Sequence, residues 1–160
     1  MKTRNVFQKA FIALPVLAAT LLLTSCDKDD DDDMNDSTYT LSGTASGAQE
    51  NPAVTTNGTA TLSGTYNANN NRLDYTINWT NLSGPATVAH FHGPAAVGVN
   101  ALPMIDISIG TNGINGTASA SVTVPDSVET HLLNGNVYYN VHTAAHVNGE
   151  IRAQVLTTAN

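Results

Sequence analysis

Between positions 73 and 79 the chain alternates without a break: Leu73, Tyr75, Ile77 and Trp79 are large and apolar, while Asp74, Thr76 and Asn78 between them are polar. Successive side chains of a strand point to opposite faces, so this pattern puts four apolar groups on one side of a β-strand. On a helix the same residues would spread around the cylinder. Runs of the same kind occupy 39–46, 59–66, 87–92, 104–109, 116–124, 136–142 and 150–156, separated by clusters of Gly, Asn and Pro. Short strands with frequent turn residues predict an all-β, antiparallel sandwich of about eight strands, with Trp79 in its core.

Turn chemistry marks the boundaries. Asn67, Ala68 and the three residues Asn69, Asn70 and Asn71 divide two alternating runs as a hairpin loop. Asn148-Gly149 is a hairpin dipeptide, since both residues tolerate positive φ. One departure from strand is expected after Pro125. Asp126 stands as a candidate N-cap with Glu129 three residues on, Val128 and Leu132 lie one turn apart, and Asn134-Gly135 closes the segment. These features predict one short helix covering an edge of the core.

The N-terminal segments obey other rules. Only 12% of the 160 residues are charged and the formal net charge is -7, but that charge is unevenly spread. Lys2, Arg4 and Lys9 accompany the apolar run 10–23, and no acid occurs before Asp27. At about 14 residues the run is shorter than the roughly 20 that span a bilayer, so 1–25 reads as a signal peptide. The stretch 27–36 sets seven Asp against Lys28, and such a segment repels itself and has nothing apolar to bury. The chain therefore divides into 1–25, an acidic tether at 26–37 and a folded domain at 38–158. That domain retains Arg72 and Arg152 as its cations, too few to neutralise phosphates, so nucleic acid is not an expected partner. The single cysteine, Cys26, excludes an internal disulfide and a thiolate metal cluster.

Chemistry, if the domain carries any, centres on histidine. His90 and His92 lie at i and i+2 on an expected strand, so both leave the same face about 6.6–6.8 Å apart at the backbone. Imidazoles at that spacing can converge on one metal ion, and neutral nitrogen donors suit copper first and zinc second. His142 and His146 flank a short bend, which a hairpin end could bring beside the first pair. The alternative role is mechanical: an imidazole that donates to a backbone carbonyl fastens a loop without metal.

Glu150 and Arg152 share the face opposite Ile151, Ala153 and Val155, and they read first as a partly exposed ion pair. The functional alternative has Glu150 orienting a ligating histidine. Glu50 and Glu150 form no carboxylate pair that spacing alone defines. No Gly-x-Ser-x-Gly elbow and no phosphate-binding Gly-rich loop occurs, so no catalytic residues are expected.

Three short segments resemble known signals. Leu23-Thr24-Ser25-Cys26 resembles the bacterial lipobox, which implies diacylation of Cys26 and attachment to a membrane through that lipid. Cys26-Asp27-Lys28-Asp29-Asp30 is similar to the export signal of Bacteroidota surface lipoproteins, which implies an outer-membrane protein displayed on the surface, while a plain spacer explains the same composition with the domain facing the periplasm. Asp36-Ser37-Thr38 and Asp126-Ser127-Val128 resemble Bacteroidota O-glycosylation sites, Ser37 being the better placed.

A family resemblance covers most of the domain. Ala89-His90-Phe91-His92-Gly93-Pro94-Ala95, and later Tyr139-Asn140-Val141-His142-Thr143-Ala144-Ala145-His146-Val147-Asn148-Gly149-Glu150-Ile151-Arg152, closely resemble the two signature segments of the CHRD domain. That domain takes its name from chordin. Leu41-Ser42-Gly43 with Ala48-Gln49-Glu50-Asn51-Pro52 resembles the family's opening strand and loop, and 133–138 leads into the second segment as the family does. The departures are Val147, where Pro is common, and Ala153, where Gly is usual. The resemblance implies an immunoglobulin-like or superoxide-dismutase-like sandwich over 39–155 and no known enzyme activity. His90 and His92 look similar to a copper-ligating pair of copper-zinc dismutases, but the order and spacing of further ligands do not match, so dismutation is not expected.

The expectation is therefore a non-enzymatic, membrane-anchored envelope module with a binding or structural role. Its alternative is a copper- or zinc-binding envelope protein using His90, His92, His142 and His146, with Asn140, Glu150 and Arg152 in support.

Overall fold

The computed structural model describes residues 37–110 and 113–160; Cys26, the signal-peptide run and residues 26–36 of the acidic tether lie outside the described residues. Among the described residues nine strands and one α-helix follow in the order β1 (Thr38–Ser46), β2 (Thr59–Asn67), β3 (Arg72–Thr80), β4 (Ala86–His92), β5 (Pro103–Ile107), β6 (Gly116–Thr123), α1 (Asp126–Leu133), β7 (Tyr138–Thr143), β8 (Ile151–Gln154) and β9 (Leu156–Ala159), with a 3₁₀ turn at Gly47–Gln49 after β1. The strands join in the order β5-β4-β7-β8-β1-β2-β3-β6, with β9 paired to β1, and every pairing is antiparallel. Among the described residues no helix is long and apolar enough to cross a membrane.

The period-two reading accounts for this sheet. Leu73, Tyr75, Ile77 and Trp79 of β3 are all buried, Trp79 at 1% exposure, and in register beside them lie Tyr66, Leu62 and Ala60 of β2 and Ala118 of β6. The opposite face carries hydroxyls and amides that bond across strands, as Thr59 does to Thr80 at 3.2 Å and Thr76 to Ser119 at 2.9 Å. A domain with so few charges keeps its outer surface polar in this way. Tyr75 of β3 meets Phe91 of β4 edge to face at 5.2 Å, although the two strands are far apart in the sheet order. The sheet thus folds back so that its two halves enclose one apolar core.

Three local expectations are corrected. The last expected strand, 150–156, is two strands, because the Val155 N–H leaves the ladder to donate to the Val137 carbonyl at 2.8 Å. The N-cap of α1 is Pro125 and not Asp126; the Asp126 carboxylate instead accepts from the Asn71 amide at 2.7 Å. In the Asn148-Gly149 turn only Gly149 has positive φ, at 120°. Val128 and Leu132 of α1 do face the core, as their spacing requires.

Candidate metal centre

On β7 the face turned away from the apolar core is polar and still buried, and beside it on β4 His90 is half-buried and His92 buried. All six residues of β7 are buried, so Tyr138, Asn140 and His142 on one side are as shielded as Tyr139 and Val141 on the other. The cover comes from the connection between β4 and β5, which folds back over the face. Arg152 Nη2 donates to the Val99 carbonyl at 2.8 Å and Nη1 to Asn100 Oδ1 at 3.0 Å, Gln154 Nε2 donates to the Ala95 carbonyl, and the Ala101 N–H donates to Tyr138 Oη.

Antiparallel register decides which histidines meet. His90 lies opposite Asn140, His92 opposite Tyr138, and Val88 opposite His142. His90, His92 and His142 consequently share one face, and one ligand nitrogen from each lies within 4.8 Å of the others. His146 is not in this group. The bend that follows β7 takes it into a turn, where its N–H donates to the Thr143 carbonyl at 3.1 Å and its carbonyl accepts from Gly149, and its side chain lines a separate cleft with Glu50 and Val54. The expected four-histidine set is a three-histidine set.

The ring nitrogens are individually assigned by their neighbours. His142 Nδ1 donates to the Val147 carbonyl at 3.0 Å, so its Nε2 carries a lone pair in the neutral ring. That lone pair faces His90 Nδ1 at 3.3 Å, and His90 Nε2 in turn lies 3.8 Å from the exposed Asp106 carboxylate. His92 Nδ1 donates to the Ala101 carbonyl at 2.9 Å, and its Nε2 faces Asn140 Oδ1 at 3.0 Å. Burial pushes both His92 and His142 below the usual imidazole pKa; the Ala101 and Val147 carbonyls oppose the shift, and the neighbouring histidines add to it.

One of these distances equals the separation of two ligands on a single cation. Metal–nitrogen bonds of about 2.0–2.1 Å at a tetrahedral centre need nitrogens about 3.3–3.4 Å apart, and His90 and His142 already stand at 3.3 Å. A ligand nitrogen of His92 lies within 4.8 Å of theirs.

Glu150 and Arg152 are both buried but do not pair with each other. The Glu150 carboxylate accepts from Thr56 Oγ1 at 2.6 Å, from the Ser83 N–H and Oγ at 2.7 Å each, and from Thr143 Oγ1 at 2.7 Å. Burial by itself raises its pKa, but these donors outweigh burial and bring it below the usual carboxylate value. The expected partly exposed ion pair is therefore replaced by a buried carboxylate that ties three connections together.

Arg152 lies 3.4 Å above the Tyr138 ring, and Tyr138 stacks on His92 at 4.7 Å with planes 4° apart. Tyr138 was not legible as a site residue. Its signal is that it shares a strand face with Asn140 and His142.

Glu50 is the other residue whose part the sequence conceals. It is buried, Asn140 Nδ2 faces its carboxyl, and Oε1 closes no hydrogen bond of good geometry. Burial drives its pKa up to about 7, against the opposing pull of Arg152 and the Asn140 amide. Gly149 makes the approach possible, because a Cβ there would collide with Glu50 Oε1 and lie 2.6 Å from Asn140 Nδ2. Val147, the departure from the family pattern, supplies the site only with its backbone carbonyl, which any residue provides. Ser37 is half-buried, and its carbonyl accepts from the Ala68 N–H at 2.9 Å.

No curated protein and no solved structure matches the chain. A family model described as the CHRD domain matches residues 41–155, a span that includes all three histidines of the cluster together with Glu50, Asn140, Glu150 and Arg152, and the chain belongs to the CHRD-domain family.

Proposed function

We propose that this domain is a non-enzymatic metal-binding module of the cell envelope, taking copper or zinc at His90, His92 and His142 and held to a membrane through lipid on Cys26. One observation carries the metal reading. Each imidazole has one nitrogen in the cluster and its other nitrogen turned to an oxygen: the Val147 carbonyl for His142, the Ala101 carbonyl for His92 and, at the longer 3.8 Å, the Asp106 carboxylate for His90. Ligating histidines are oriented and made more basic by such partners. Nitrogen donors without thiolate favour copper and zinc over softer or harder ions. Binding requires His90 to move its proton from Nδ1 to Nε2, on the side of Asp106, or to release it, and uptake weakens as acid protonates the ligands. The anchored, non-enzymatic part of the proposal is supported by the lipobox-like 23–26 and the absence of a nucleophile-elbow motif in the sequence.

Thermal melts of protein purified without a histidine tag test the metal reading. Cu²⁺ or Zn²⁺ at 100-fold excess over its dissociation constant stabilises the fold by about 2.7 kcal/mol, and a His90→Ala, His92→Ala double variant shows no such gain. A wild type that does not shift overturns metal binding, and a shift that persists in the double variant overturns this site.

A further inference from the structure

Resting on that metal reading, we infer that the side-chain oxygen of Asn140 is the fourth ligand of the centre and that Glu50 is the positioning residue that aims it. Asn140 sits on β7 directly opposite His90, between Tyr138 and His142 on the same strand face, and is 1% exposed. Its Oδ1 lies 3.0 Å from His92 Nε2. In a neutral His92 the one N–H goes to the Ala101 carbonyl, so a lone pair on Nε2 faces the lone pairs of Oδ1. Two acceptors in that position repel each other, and a cation between them turns the contact into two ligand bonds.

Turning the amide over would point Oδ1 at the Asn148 carbonyl, an obligate acceptor 3.5 Å from Nδ2, and at the Glu50 carboxyl, which could meet it only as the protonated acid. From behind, the Nδ2 side of Asn140 faces the Asn148 carbonyl and the Glu50 carboxyl, and Gly149 leaves the space in which that carboxyl reaches the amide. Three imidazoles and one amide oxygen fill a four-coordinate site from protein alone, with no position kept for solvent. A structural zinc or copper centre is closed in this way, and a catalytic one keeps a position open.

Cobalt titration tests the assignment with Co²⁺ as the probe. Wild type takes up one Co²⁺ with the intense visible bands of four-coordinate cobalt, and added azide leaves them unchanged. Asn140→Leu binds Co²⁺ at least about tenfold more weakly, and its bands shift on adding azide because a position is now open. If Asn140→Leu does not fold, the exchanged pair Glu50→Gln with Asn140→Asp decides: it keeps the contact with donor and acceptor reversed, presents an anionic oxygen to the metal and binds Co²⁺ more tightly than wild type.

A wild type that binds azide, an Asn140→Leu variant with wild-type affinity and bands, or an exchanged pair no tighter than wild type overturns the role of Asn140. A wild type that takes up no cobalt at all overturns the metal reading beneath it.

Discussion

His90 Nδ1 and His142 Nε2 stand 3.3 Å apart, and between them there is room for one proton or one metal ion. The Val147 carbonyl already takes the Nδ1 proton of His142, so in the metal-free protein His90 donates and His142 accepts. His146, four residues further along but in a separate turn of the chain, has no part in that pair. His142→Ala is therefore expected to abolish stabilisation by Zn²⁺, while His146→Ala retains it in full. Melting both variants with and without the ion checks the contrast, and equal loss in the two would restore a four-histidine site.

Glu150 is a structural tie. Its carboxylate receives four hydrogen bonds from Thr56, Ser83 and Thr143. Bonds to a charged acceptor contribute more than neutral ones, and deleting the acceptor leaves buried donors unpaired. Glu150→Ala is expected to lose at least about 3 kcal/mol, measured by denaturant unfolding. Its folded pKa lies below the unfolded value, so this stabilisation is present above about pH 4.5 and is lost as pH falls through the folded pKa. A variant as stable as wild type at neutral pH would contradict the account.

Glu50 has the opposite sign. Its pKa is raised from 4.5 to about 7, so the folded state holds the proton that the unfolded chain has released. The contribution of Glu50 to stability is complete below about pH 4.5 and is lost as pH rises through about 7. Glu50→Gln, measured without metal, should melt above wild type at pH 8 and approach it near pH 4. A variant that is less stable at pH 8 would show that pairing with Arg152 outweighs burial.

The proposed membrane attachment rests on one sulfur, that of Cys26. Cys26→Ala should move the protein from the membrane fraction to the soluble fraction, and protease added to intact cells should remove the wild-type domain. Unchanged membrane association would rule out the lipid anchor. Full protection of the wild type in intact cells, with cleavage only after lysis, would place the domain in the periplasm.

The sequence made the strands legible because burial of one sheet face writes a period of two directly into the residues, as in Leu73 to Trp79. It could not show that Val155 ends one strand and precedes another, since the cause is a bond to Val137, which lies on a different connection. His90 and His92 were legible as a pair because i and i+2 share a face. His142 joins them through the register between β4 and β7, which no local pattern specifies, and His146 looked equivalent because a turn residue and a strand residue differ little in sequence. Glu50 meets Asn140 across the fold, and Arg152 meets Tyr138 on the neighbouring strand. Such contacts follow from topology and stay hidden until the topology is known.

The central claim is that three imidazoles on one sheet face, from β4 and β7, hold one ion. Equilibrium dialysis of tag-free protein against Zn²⁺, followed by elemental analysis, measures this directly. The account predicts one zinc per chain in wild type and none above background in a His90→Ala, His142→Ala double variant that retains its fold; a wild type without bound zinc or copper, or a double variant that still holds one equivalent, would contradict it.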